Sequence, residues 1–275
     1  MTRRLTIHLA VTFAITCTSW GILVPLARAR TIVYGDLPFM LLYALGGLGP
    51  TLAAYVAVLA TPTQAPLAEF HRRLFRWRVA GRWYVIALGL PVTLAMASVG
   101  TTILVDPGSA RQFSVRPWYM FVPLFLFMVA GGGLEELGWR GVAQPEMERG
   151  LGRPAAAVLV GLVWSLWHLP LFVLPGVGQY GTNFPVFTIS VVGGALILAW
   201  LYARTGSILF CIVFHASGNA IAALGLAIPS RRGLAALLDA CLRVVVGALL
   251  LAVGSAPSDK RLQPPALGEI MKRRG

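Results

Sequence analysis

Charge is what this sequence has least of. Only 12% of its 275 residues are charged, ten of them Asp or Glu, against roughly a quarter charged residues in an ordinary soluble domain. With 57% hydrophobic residues and a mean hydropathy of +0.75, the chain has too little polar surface for a soluble globule. Cysteine is nearly absent. Cys17, Cys211 and Cys241 each lie inside an apolar run, so neither a disulfide framework nor a CxxC metal site is supported, and all three read as core residues. There is no HExxH motif and no internal repeat strong enough to use. The shortage of acids leaves a net charge of +13. Nucleic acid could answer such a charge, but the Lys and Arg residues fall in short clusters between apolar runs rather than along one polar face. That distribution suits topogenic charge meeting anionic lipid. The expected partner is membrane lipid, and no nucleic acid.

What is abundant is apolar sequence in lengths near the 20 residues that a membrane span needs. Eight candidate spans cover 5–27, 37–60, 83–105, 117–147, 154–175, 184–203, 206–228 and 234–254. The first could be a cleaved signal, since Arg3 and Arg4 precede it and Ala27-Arg28-Ala29 mimics a cleavage site, but its apolar stretch exceeds a typical signal core. Placing the N-terminus inside puts sixteen Lys and Arg on the inner side (3, 4, 72, 73, 76, 78, 82, 140, 149, 153, 204, 260, 261, 272, 273, 274) and six outside (28, 30, 111, 116, 231, 232), which predicts that both termini are cytoplasmic. Arg243 remains, inside the last span and four residues after Asp239, as an i, i+4 ion pair. The Arg-, Phe- and Trp-rich stretch Glu69 to Trp83 reads as an amphipathic segment in the inner interface, with His71 solvated. Gly49-Pro50 predicts a kink in the second span. The fold class expected is all-α, a polytopic membrane protein of about eight transmembrane helices. Residues 1–254 form a single domain, and 255–275, rich in Pro and charge, a disordered cytoplasmic tail.

Against this background the doublet Glu135-Glu136, in GGGLEELGWR from Gly131 to Arg140, is out of place. A carboxylate in a membrane helix costs about 2.5 to 3.5 kcal/mol even on lenient insertion scales. On a continuous α-helix Glu136 and Arg140 share a face one turn apart, acid before base, and Glu135 points about 100° away toward a side bearing Gly131 and Gly138. Glu136 is thereby neutralised and Glu135 left free, although both could also belong to a buried network that locks helices together.

Two further spans carry polar groups, Trp164 to His168 (WSLWH) and His215 to Asn219 (HASGN), the latter with an imidazole and a carboxamide on one face. At about 1.5 Å per residue, Glu135 lies ~20 Å from Glu148, His168 ~21 Å from Pro154 and His215 ~14 Å from Gly206. Each reference point is the cytoplasmic end of its span, so the three motifs reach comparable depth. The fourth histidine, His8, lacks polar sequence neighbours and reads as a capping or snorkelling residue. A carboxylate, two imidazoles and a carboxamide suit hydrolysis by water: Glu135 as general base, His168 orienting the water, His215 and Asn219 donating to the oxyanion. A zinc site made of His168, His215 and Glu135 is the competing chemistry, disfavoured because Asn219 is a poor ligand. Ser165 and Ser217 are weak candidates as nucleophiles.

The order Glu135-Glu136-xxx-Arg140, Trp164-xxx-His168, His215-xxx-Asn219 resembles the CPBP intramembrane protease-like family, which includes the type II CAAX prenyl endopeptidases and the bacterial Abi and bacteriocin-immunity proteins. Gly49 to Ala54 and Arg76 to Val79 look like its upstream segments, so the resemblance spans roughly 45–225. It implies a glutamic endopeptidase without a metal or other cofactor, with Glu135 and His168 activating water, His215 and Asn219 forming the oxyanion hole, and Glu136 and Arg140 supporting the site. Trp164 stands where the family commonly has Phe, which bears on pocket shape. The expectation is an integral protein of a bacterial inner membrane with its site between the fourth, fifth and seventh helices, acting on a membrane-associated peptide or protein. Substrate identity, prenylation and oligomeric state are not legible. Alternatives from other classes are a non-catalytic immunity or sequestering protein and a proton-coupled transporter, the latter lacking the repeat symmetry that many transporters show.

Overall fold

The computed structural model describes residues 2–61, 66–226 and 233–253; the expected tail at 255–275 and the residues around 229–232 lie outside them. Every regular element among the described residues is helical. Seven segments are long and apolar enough to cross a membrane, and an eighth crossing is a bent pair.

The first span is α1 (Arg3–Arg28), opened by the Thr2 side chain accepting from the Leu5 amide. Its inward face is polar, with His8, Thr12, Thr16 and Ser19 buried one turn after another. The bent pair is α2 (Leu37–Gly47) and α3 (Gly49–Leu59), which meet at 43°. Pro50 can offer no amide to the Gly46 carbonyl, and α1 satisfies it: Thr16 Oγ1 donates there at 2.8 Å, while one turn earlier Ser19 Oγ donates to the Leu42 carbonyl at 2.7 Å. The predicted kink is thus present. α4 (Pro66–Leu74) buries Phe70 and Leu74 and exposes Glu69 and Arg72, the amphipathic pattern expected. His71 is half-buried between the rings of Tyr55, Phe70 and Phe75 rather than solvated.

After α5 (Arg82–Val105) comes the fourth crossing, then α9 (Arg153–Trp167), α10 (Phe184–Thr205), α11 (Ile208–Ile221) and α12 (Leu234–Val253). On α12 the pair Asp239–Arg243 is formed, Nε to Oδ2 at 3.0 Å. Of the cysteines only Cys211 is core; Cys17 and Cys241 are exposed on the outer faces of α1 and α12. Hydrocarbon tails are as apolar as a protein interior, so an apolar run does not by itself tell the two surroundings apart.

Candidate active site

The fourth crossing is not the continuous α-helix that its apolar run predicts. α6 (Phe121–Ala130) stops at Gly131; a 3₁₀ turn covers Gly133–Glu135, the single turn α7 covers Glu136–Gly138, a widened π turn covers Trp139–Ala143, and α8 (Gln144–Leu151) completes it. The backbone groups freed by these changes of winding find partners: the Glu135 amide donates to the Gly132 carbonyl at 3.0 Å, and Thr51 Oγ1 on α3 donates to the Leu134 carbonyl at 2.8 Å. Glycine makes the break compact. A Cβ on Gly132 would stand 2.5 Å from Asn219 Nδ2 and 3.3 Å from His215 Nε2, and one on Gly138 would stand 2.6 Å from the Pro50 carbonyl and 2.7 Å from His8 Cε1. π turns of this kind recur at functional sites.

The two glutamates part company as their spacing suggests. Glu136, fully buried, forms an ion pair with Arg140 Nη1 at 2.9 Å and also accepts from His215 Nδ1 at 2.9 Å on its Oε1. The second contact was not legible, since it needs the position of α11 relative to α7. Glu135 turns toward α9, where Trp164 Nε1 donates to its Oε2 at 2.8 Å. Trp164 has more than a role in pocket shape: its ring lies 5.3 Å from that of His215 and 6.0 Å from that of His168, and the Arg140 guanidinium sits 5.0 Å from its centroid. One indole therefore touches Glu135, Arg140 and both imidazoles. The cation–π contact also offsets the buried guanidinium nitrogens Nε and Nη2, which lack hydrogen bonds.

His168 caps the end of α9, its Nδ1 2.9 Å from the Trp164 carbonyl. A carbonyl only accepts, so Nδ1 is the donor and Nε2 is left as an acceptor. Trp167 and Phe187 pack on the ring with centroids at 4.6 and 5.1 Å and fix its plane. In His215 the contact to a carboxylate likewise makes Nδ1 the donor. Glu135, Trp164, His168, His215 and Asn219 all line one cavity of about 840 Å³, with walls from α2, α5, α6, α10 and α12 as well. Glu136 and Arg140 lie behind the wall and brace it. Tyr43 and the Asp239–Arg243 pair also line the cavity, and nothing in local sequence marked them as neighbours of Glu135. Ser165 donates to the Leu162 carbonyl, Ser217 is fully buried, and neither lines the cavity. Among the described residues no three His, Cys, Asp or Glu side chains form a group able to hold a metal ion, so the triad weighed for zinc is not assembled.

Fold and site together define a polytopic helical membrane protein with carboxylate, imidazole and carboxamide groups around an intramembrane cavity. Comparison with known proteins then gives the family resemblance. Residues 117–221 match the family of type II CAAX prenyl endopeptidases described as Rce1-like, and this stretch holds all three motifs. CAAX prenyl protease 2 of Methanococcus maripaludis is 26% identical over 195 residues, 64% of this chain and 69% of the relative. The resemblance read from the motifs is therefore found independently, and it supports the general class of a membrane endopeptidase.

Proposed function

We propose that the protein is an intramembrane glutamic-type endopeptidase that hydrolyses a peptide bond of a membrane-associated protein or peptide. The observation carrying this is the placement of Glu135. It lines the cavity with one oxygen held by Trp164, and the same cavity is lined by His168, whose Nδ1 is engaged and whose Nε2 is an acceptor. Glu135 takes a proton from water while His168 Nε2 accepts the water's other proton in a hydrogen bond and orients it; the hydroxide attacks the scissile carbonyl. The carbonyl oxygen becomes an oxyanion facing His215 and Asn219. His215 donates through Nε2 when it carries both protons, and Glu136 supplies the counter-charge for that state. Glu135 then returns its proton to the leaving nitrogen, the C–N bond breaks, and a carboxylate and an amine result. No residue is acylated, and the mechanism needs no cofactor. The functional unit is residues 1–254, in a plasma membrane with both termini cytoplasmic.

The cavity suits a substrate held in the bilayer, being walled by apolar α2, α5 and α6 residues such as Met40, Leu94 and Phe127. The relative named above is, by its name, a CAAX prenyl protease, and a prenylated CAAX peptide is the first probe to use. The purified Glu135→Gln and His168→Ala variants should melt as the wild type does and leave membrane-associated peptides uncut. Undiminished cleavage by Glu135→Gln would remove the assignment.

A further inference from the structure

Of the arginines on and after the surface helix α4, Arg73 is the one that turns inward. Arg72, Arg76 and Arg78 are exposed, whereas Arg73 falls on the buried face between Phe70 and Leu74. It is half-buried, and among the described residues no carboxylate pairs with it. Drawing a guanidinium out of water without a counter-charge is costly, so its two acceptors ask for a reason. Nη1 donates to the Gly141 carbonyl at 3.2 Å and to the Tyr202 hydroxyl of α10 at 2.9 Å. Gly141 supplies the reason. It sits in the π turn Trp139–Ala143, and the residue whose amide would serve its carbonyl in α winding is Pro145, which has none. Arg73 serves that carbonyl from 68 residues away. Glycine lets α4 come this near: a Cβ on Gly141 would stand 2.7 Å from Phe70 Cε2, and the Arg73 guanidinium lies 5.7 Å from the centroid of the same Phe70 ring.

We propose that Arg73 is a positioning residue: it holds the π turn in register, and the π turn sets Arg140 and through it the groups around Glu135. Arg140 precedes Gly141 in the chain and lies inside the same turn. Its Nη1 pairs with Glu136 at 2.9 Å, and Glu136 in turn accepts from His215 Nδ1 at 2.9 Å. Its guanidinium lies 5.0 Å from the centroid of Trp164, whose N–H holds Glu135 at 2.8 Å. A π turn departs locally from the α winding on either side of it, and a change of winding by one residue would swing Arg140 by about 100° around the helix axis. The bond from Arg73 and the Phe70 ring against Gly141 both oppose that change. Arg73, Gly141 and Tyr202 do not line the cavity, so Arg73 acts on the site through the turn and not on the substrate.

The effect on catalysis rests on the proposed function; the brace on the π turn does not, and it is read without substrate. In full-length protein in micelles, labelled with ¹⁵N at the tryptophan indoles, Arg73→Met fills the stem's space and donates nothing. It should shift the indole cross-peaks of Trp139, in the turn, and Trp164, under Arg140, and leave that of the exposed Trp118 in place. Arg73→Lys, whose ammonium can donate to both acceptors, should keep the wild-type positions. Unmoved Trp139 and Trp164 peaks in Arg73→Met overturn the brace whether or not the wild type cleaves peptides. With a peptide that the wild type cleaves, Arg73→Met should lower kcat roughly 10-fold with KM unchanged, the scale of one lost hydrogen bond from a charged donor, and Arg73→Lys should recover most of it. Full kcat in Arg73→Met, equal loss in Arg73→Lys and Arg73→Met, or a change confined to KM overturns the positioning role. Should Arg73→Met fail to fold, Arg73→Gln, two atoms shorter and uncharged, is read in the same way. A wild type that cleaves no peptide removes the proposed function and this role with it, and the brace is then decided by the cross-peaks alone.

Discussion

Glu135 and Glu136 differ in nothing but their neighbours, and their neighbours assign them different tasks. Glu136 faces Arg140 and His215, all inside the protein. Glu136→Gln would leave the fully buried Arg140 uncompensated, a loss on the scale of 3 to 5 kcal/mol, about that of breaking a buried pair. Unfolding in detergent should show it as a much lowered melting temperature, and a wild-type melt would show that the pair is not needed. The Trp164 N–H to Glu135 is charge-assisted when the carboxyl is ionised, and such bonds contribute about 1.5 to 3 kcal/mol. Trp164→Phe keeps the aromatic ring and removes the bond, so kcat should fall by about 10- to 100-fold while the protein remains folded. If Asn219 donates to the oxyanion as proposed, Asn219→Ala should cost about 100- to 1000-fold in kcat with little change in KM. A change confined to KM would assign Asn219 to substrate binding.

At the level of elements, the break in the fourth crossing decides where the chemistry sits. Gly132→Ala would put a methyl against Asn219 Nδ2. Cleavage should drop sharply with the melting temperature nearly kept, because the clash involves a side-chain amide at the cavity wall rather than packed backbone. Equal activity would mean that α6 and α11 adjust freely. The sequence announced space at this place but not the break. A Gly-Gly-Gly run inside an apolar stretch costs about 1 kcal/mol per residue in a continuous helix, too little to settle the outcome locally. Thr51 of α3, bonded to the Leu134 carbonyl, settles it from 83 residues away. His8 shows the opposite case. It recurs with Thr12, Thr16 and Ser19 along one face of α1, and that face is buried, so His8 is a core residue and neither caps nor snorkels as its apolar sequence neighbours suggest.

For the whole molecule, the number of spans, the kink at Gly49-Pro50 and the pairs Glu136–Arg140 and Asp239–Arg243 were legible, because they follow from hydropathy, proline chemistry and i, i+4 geometry. The gathering of three motifs around one cavity was anticipated from depth alone. Which indole would connect them was not, since depth says nothing of rotation about a helix axis. Orientation is a further whole-molecule property: the excess of Lys and Arg on one side predicts both termini inside, so tags at either end should be protected from protease in intact spheroplasts and digested after lysis, and digestion without lysis would reverse the topology. The most direct test of the central claim, that Glu135 activates water without an acyl intermediate, is a single turnover in H₂¹⁸O with hydroxylamine present. The substrate is whichever prenylated CAAX or other membrane-associated peptide the wild type cleaves. The expected result is one ¹⁸O in the new product carboxylate, none in Glu135, no hydroxamate, and no product from Glu135→Gln; ¹⁸O in Glu135, a hydroxamate, or full-rate cleavage by Glu135→Gln would contradict it.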